Sequence, residues 1–115
     1  MTLVLISFER LIDPAELPAI KIATNDFEQR LAAQQRYPEP RPVNLDPGYI
    51  TPAKLVLATT KDASHRLYLG DGMFGEVTLS YVRHAWREFE WTYPNYRRAD
   101  YKEFLTACRS RLLGS

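Results

Sequence analysis

Between His65 and Val82 the chain runs through two alternating stretches joined by Gly70, Asp71 and Gly72. Leu67 and Leu69 alternate with Arg66 and Tyr68, and Val77, Leu79 and Tyr81 share one side of the run Phe74 to Val82. Period-two alternation is what a strand with one covered face requires. Asp-Gly tolerates the positive φ angles of a tight hairpin turn. An antiparallel hairpin over about 65–82 is therefore the element to which the rest of the chain must conform. A two-stranded hairpin alone is marginal in water, so further strands or helices have to cover it.

The 115 residues suit a single domain spanning 1–115 with one core. Asp13 before Pro14 is a helix-start signal, and Pro18 divides the region into a short turn and a main helix from Pro18 to about Gln35. Ile20, Ala23, Phe27 and Leu31 recur on one face of that helix, which predicts a buried stripe, with Lys21, Asn25, Glu28 and Arg30 on a solvated face. A second helix from about Ala99 to Leu113 places Tyr101, Phe104, Leu105, Cys108 and Leu112 on one face. Its acids, Asp100 and Glu103, come early, and Arg109 and Arg111 come late, as the helix dipole prefers.

Leu3 to Phe8 reads as a strand buried on both faces. It starts almost at the first residue, so either a later element pairs with it or residues of a longer protein precede it. The proline-rich Tyr37 to Pro42 reads as an extended connection. Val43 to Leu45 reads as a short strand entering a turn at Asp46, Pro47 and Gly48, with glycine supplying positive φ. Thr51 and Pro52 repeat the helix-start pattern, which predicts a helix from Pro52 to about Lys61 against the strand-like content of KLVLATT. The aromatics from Trp86 to Tyr96 read as a final short strand or loop packing its rings onto the core. The expected fold class is α+β, an antiparallel sheet with a central hairpin, helices on one face and a C-terminal helix.

Charge and cysteine content narrow the function classes. Lys+Arg 15 against Asp+Glu 14 leaves no basic excess, so nucleic acid is not favoured as a partner. The first ten residues are too short for a membrane span and lack a basic leader, so no membrane association is expected. Cys108 is the single cysteine, which excludes an internal disulfide or a CxxC pair and fits a reducing cytoplasm. On an apolar helix face it reads as a small hydrophobe.

The segment Leu69 to Val77, LGDGMFGEV, matches the GxGxxGxV phosphate loop of protein kinases. No AxK strand, HRD or DFG follows, and no Walker A motif occurs anywhere in the chain, so hairpin geometry explains the glycines. Lys61, Asp62, His65 and Arg66 form a second cluster, with Thr59 and Thr60 beside them. Arginine offers a planar fork, lysine a point charge and threonine a short donor, a mixture suited to phosphate or carboxylate. His65 with Asp62 or Glu76 is suited to acid–base work. His65 and His84 with Asp46, Asp62 or Glu76 show no metal-ligand spacing, and no metal or cofactor is assigned. WTYPNYRR, Trp91 to Arg98, mixes rings with arginines, and packing within the chain is the favoured reading over base stacking.

The chain resembles a bacterial and archaeal family, domain of unknown function 4416. The resemblance runs through SFERLIDPAELPAIKIATNDFE, VNLDPGYITPAKLVLATTKDASHRLYLGDGMFGEVTL, WTYPNYR and the last helix, nearly the whole chain. It implies a longer protein, since relatives begin earlier with a further strand, helix and acidic, aromatic-rich segment. Some members carry the label "GTP-binding protein", which implies a nucleotide. Relatives typically carry alanine at the position of Gly75, against a phosphate loop needing that glycine. The polar residues of the family blocks fall on Asn44, Asp46, Tyr49, Lys61, Asp62, His65, Arg66 and Glu76. The expectation is a site for a small anionic or phosphorylated ligand held by Asn44, Asp46, Tyr49, Lys61 and Arg66. The alternatives are an acid–base enzyme using His65, Asp62 and Glu76, and an interaction module whose exposed sheet edge allows self-association.

Overall fold

In the computed structural model, residues 4–8, 10–40 and 44–114 are described. A 3-10 turn, Pro14–Glu16, leads into helix α1, Leu17–Ala33. Strands β1, Gly48–Ile50, β2, Lys54–Thr59, β3, Arg66–Gly70, β4, Met73–Val82, and β5, Ala85–Glu88, follow. A second 3-10 turn, Pro94–Arg97, precedes helix α2, Ala99–Leu113. The strands form one five-stranded antiparallel sheet in the order β1-β2-β4-β3, with β5 also paired to β4. The fold is α+β.

By its contacts the chain divides into two compact units. One comprises Met1–Ile12, Ile50–Val56 and Val77–Ser115, and the other Asp13–Tyr49 and Leu57–Glu76.

The second unit holds the β3–β4 hairpin, with Arg66 opposite Glu76, Leu67 opposite Gly75 and Tyr68 opposite Phe74. Its turn needs positive φ at three consecutive residues, Gly70 at 117°, Asp71 at 52° and Gly72 at 78°. Two glycines and an aspartate are the residues that reach that region most cheaply. The Gly72 N–H donates to the Tyr68 hydroxyl at 3.0 Å, closing the turn across its own strand.

Helix α1, in the same unit, buries a different face from the one its hydrophobic spacing predicts. Leu17, Pro18, Lys21 and Glu28 are buried, whereas Phe27 is 49% exposed. The reason is a backbone contact. Glu28 Oε2 accepts the Leu45 N–H at 2.6 Å, and Lys21 Nζ donates to the Leu45 carbonyl at 3.5 Å. Lys21 and Glu28 are two helical turns apart, so their side chains leave the same face and take both polar groups of one residue. A buried backbone group without a partner costs about 1–3 kcal/mol. That is the same size as the gain from burying a Phe side chain, about 1.5–3 kcal/mol, so the polar contact competes with hydrophobic spacing in setting the face.

Several local expectations change. Thr51 caps no helix: its hydroxyl accepts from the Ala53 and Lys54 N–H groups at 3.0 and 3.1 Å, folding a turn from which β2 emerges. The β-branched content of β2 then prevails, with Leu55, Val56 and Ala58 buried. Asn44 and Leu45 lie outside any strand, Val43 is outside the described residues, and the strand begins at Gly48, whose φ is not positive. Val4 to Phe8 forms neither strand nor helix, with Val4, Ile6 and Phe8 at 68%, 73% and 84% exposed, where a buried strand was expected. Leu3 lies outside the described residues.

In the first unit β4 turns into β5 through Arg83 and His84, at φ 54° and 63°, with Tyr81 opposite Trp86. Two adjacent positive φ angles give the right-handed strand twist that a two-residue hairpin needs. The aromatic run then folds back on β4. Trp91 Nε1 donates to the Val77 carbonyl at 2.9 Å, and the buried Thr92 hydroxyl donates to the Thr78 carbonyl at 2.6 Å. Phe89 stacks on Trp91 at 4.6 Å between ring centroids. Trp91 and the buried Tyr96 pack within the chain as expected, whereas Tyr93 is 60% exposed.

Helix α2 buries Tyr101 and Leu105, with Phe104, Cys108 and Leu112 half-buried. Arg109 lies 3.7 Å from the centre of the Tyr81 ring and donates to the Pro52 carbonyl at 2.8 Å, a cation–π contact and a hydrogen bond from one side chain. The exposed Glu88 carboxylate accepts from Lys102 and from Arg97, and the Lys102 hydrogen bond is the main cause holding its pKa below the ordinary value. Asp100 is lowered likewise, chiefly by its hydrogen bond from Arg98. No helix among the described residues is long and apolar enough to cross a membrane.

Candidate functional site

The head of the β3–β4 hairpin concentrates the polar residues. Arg66 opens β3 directly opposite Glu76 in β4, and such cross-strand partners project from the same face. Glu76 is buried, with its side chain 5% exposed. Burying a carboxylate demands strong partners. They are His65, whose Nε2 lies 2.6 Å from Glu76 Oε1, and Arg66, whose Nε donates to the same oxygen at 3.0 Å. Arg66 also donates through Nη1 to the Lys61 carbonyl at 2.9 Å, which ties the loop after β2 to the hairpin.

The loop is built to deliver these groups. The Lys61 N–H donates to the Thr59 hydroxyl at 3.2 Å, and the Arg66 N–H donates to the Ala63 carbonyl at 3.0 Å, closing a turn over 63–66. His65 and Arg66 therefore enter the cluster from adjacent positions, yet both reach one carboxylate oxygen. The imidazole is 22% and the guanidinium side chain 15% exposed, so each keeps a solvent-facing portion while its inner side is fixed. Chemically the set is a cation and an imidazole oriented by a buried anion, with the Lys61 residue at its edge.

Of the residues expected from sequence, the structure brings together His65, Arg66 and Glu76, and Lys61 through its carbonyl. Asp62 is exposed to solvent, and Tyr49 is half-buried in β1, both outside this set of hydrogen bonds. Asn44 and Asp46 are exposed and bond to one another, Asn44 Nδ2 to Asp46 Oδ2 at 3.4 Å. Among the described residues no three His, Cys, Asp or Glu side chains are grouped to hold a metal ion.

Two cavities lie elsewhere. One of about 440 Å³ is lined by Asn25, Glu28, Gln29, Ala32 and Pro40. The other, of about 470 Å³, is lined by Ala85, Trp86, Lys102, Glu103 and Thr106. Neither is lined by the His65 cluster. Sequence reasoning missed Lys21 and Glu28, which bind the Leu45 backbone beside the first cavity. The available signal was their seven-residue spacing, in register with Leu17 on one helix face.

A family profile, Domain of unknown function (DUF4416), matches residues 1–112. The chain belongs to the DUF4416 family. No curated protein and no solved structure matches it. In this DUF4416 chain the glycines of LGDGMFGEV serve the hairpin: Gly70 and Gly72 supply its positive φ angles. The nearest atoms a Cβ on Gly75 would meet belong to the Leu69 side chain, at 3.2 Å.

Proposed function

We propose that the head of the β3–β4 hairpin binds a small anionic or phosphorylated ligand, with a nucleotide as one candidate. The observation that supports this is the shared carboxylate oxygen: Glu76 holds His65 and Arg66 side by side with part of each in solvent. A guanidinium fixed in this way loses little freedom on engaging an anion, which is the condition for tight charge-assisted hydrogen bonding. Lys61, exposed and joined to Arg66 through its carbonyl, adds a second cation to the same loop. The reading is tested by isothermal titration of the protein with nucleotides, sugar phosphates and inorganic phosphate. At least one phosphorylated compound binds, and Arg66→Ala weakens it tenfold or more, the worth of one charge-assisted hydrogen bond at about 1.5–3 kcal/mol. Absence of heat from every compound, or an Arg66→Ala variant of unchanged affinity, refutes it.

A second reading is supported by the 2.6 Å His65–Glu76 contact. A carboxylate that orients an imidazole is the arrangement used in general acid–base catalysis, so the bound ligand is then a substrate and His65 its proton carrier. A third is association through the free edge of β3, where Leu67 is 75% and Tyr68 63% exposed. The single Cys108 supports a place in a reducing cytoplasm for all three readings.

A further inference from the structure

Two unpaired features of this chain have matching chemistry. Strand β3 ends the strand order, with β4 on one side and no strand among the described residues on the other. Its apolar side chains are open: Leu67 is 75%, Tyr68 63% and Leu69 38% exposed. Exposed apolar side chains along an unpaired edge mark a place where another strand adds. The segment Val4 to Phe8 is the counterpart. It has no assigned helix or strand and carries Val4, Ile6 and Phe8 on alternate positions with each at least 68% exposed. On a strand three alternating apolar residues share one face, and here all three stand in water.

We propose that Val4 to Phe8 of a second copy of this chain adds to the edge of β3 as an antiparallel strand. This deepens the edge-association reading above and rests on it. With Phe8 opposite Leu67, Ser7 falls opposite Tyr68 and Ile6 opposite Leu69, so both apolar pairs lie on one face. Main-chain hydrogen bonds supply affinity in such strand addition, and the alternate side chains supply register. Each copy offers one such edge and one such segment among the described residues, and a two-fold pair is the symmetry that uses both.

The rival is β3 pairing with β3 of the second copy about Tyr68. It is disfavoured because the register of β3 shifts between Tyr68 and Gly70. A symmetric pairing has to cross that irregularity in both strands, whereas the added segment, with Phe8 to Leu5 facing Leu67 to Gly70, meets it once. The rival also leaves Ile6 and Phe8 in water.

The test needs no ligand: analytical ultracentrifugation of the full chain across a concentration series, with Leu67→Asp and Ile6→Asp as variants. Both residues are mostly exposed in the single copy, and circular dichroism confirms that the variants keep the fold. The expected result is a dimer that each substitution weakens at least tenfold. Mixing a Phe8→Cys chain with a Leu67→Cys chain, both on a Cys108→Ser background, gives a disulfide-linked heterodimer under mild oxidation. A monomer at every concentration overturns both the edge reading and this inference. A dimer lost with Leu67→Asp but kept with Ile6→Asp overturns the occupant alone, and so does a mixture whose cross-linking does not exceed that of either variant by itself.

Discussion

Replacing Glu76 by alanine removes the anion around which the hairpin head is assembled, and the cost follows from its surroundings. The carboxylate is 5% exposed and accepts from His65 at 2.6 Å and from Arg66 at 3.0 Å. Hydrogen bonds to a charged group contribute about 1.5–3 kcal/mol each. Truncating one member of a buried ion pair costs about 3–5 kcal/mol, because the surviving charge is left desolvated. Arg66 stays bonded to the Lys61 carbonyl, and His65 at 22% exposure recovers some hydration, so the lower half of that range applies. Glu76→Ala is therefore expected to lose about 3–4 kcal/mol. Glu76→Gln keeps one acceptor oxygen and loses about 1.5–3 kcal/mol. The double variant Arg66→Met, Glu76→Met leaves no buried charge and is less destabilised than Glu76→Ala, since apolar replacement of a whole pair is often neutral. Urea unfolding at pH 7 with linear extrapolation measures all three. A Glu76→Ala variant within about 0.5 kcal/mol of the parent refutes the reasoning, because that is the range of an ordinary surface substitution.

Glu28→Ala deprives the Leu45 N–H of its acceptor and is expected to cost about 1–3 kcal/mol, with faster hydrogen exchange at the Leu45 amide. Lys21→Met keeps the aliphatic stem and loses only a 3.5 Å hydrogen bond, so it costs less than Glu28→Ala. In the hairpin, Gly72→Ala forces a side chain to φ 78° and costs about 1–2 kcal/mol. Gly75→Ala meets the Leu69 side chain first, at 3.2 Å, and stays within about 1 kcal/mol of the parent in either direction. Thermal unfolding of the two glycine variants side by side checks the ordering.

Elements with a complete local signal were legible in the sequence. The β3–β4 hairpin carried both its alternation and its turn residues, and α2 spans the residues its spacing indicated, Ala99–Leu113. β2 was obscured because a hydroxyl followed by proline serves a helix cap and a strand-entry turn equally, and only the geometry of Thr51 separates them. The buried face of α1 was obscured for a different reason. Periodicity weighs side chains by hydrophobicity, and Lys21 and Glu28 are buried to satisfy a backbone that lies elsewhere in the sequence. At the site, His65, Arg66 and Glu76 were named from the sequence as candidates, but their convergence on a single oxygen depends on the pairing of β3 with β4. Asp62, the carboxylate nearest to His65 in sequence, faces solvent.

The grip of α1 on Leu45 treats a peptide unit as its ligand. Glu28 and Lys21 engage an N–H and a C=O that every residue except proline offers, so the contact is indifferent to the side chain at position 45. Substitution there by most residues leaves the docking intact, whereas proline abolishes it. The helix thus specifies where the chain passes without specifying which residue passes, and mutational scanning of this segment reads as tolerance at Leu45 and intolerance at Lys21 and Glu28.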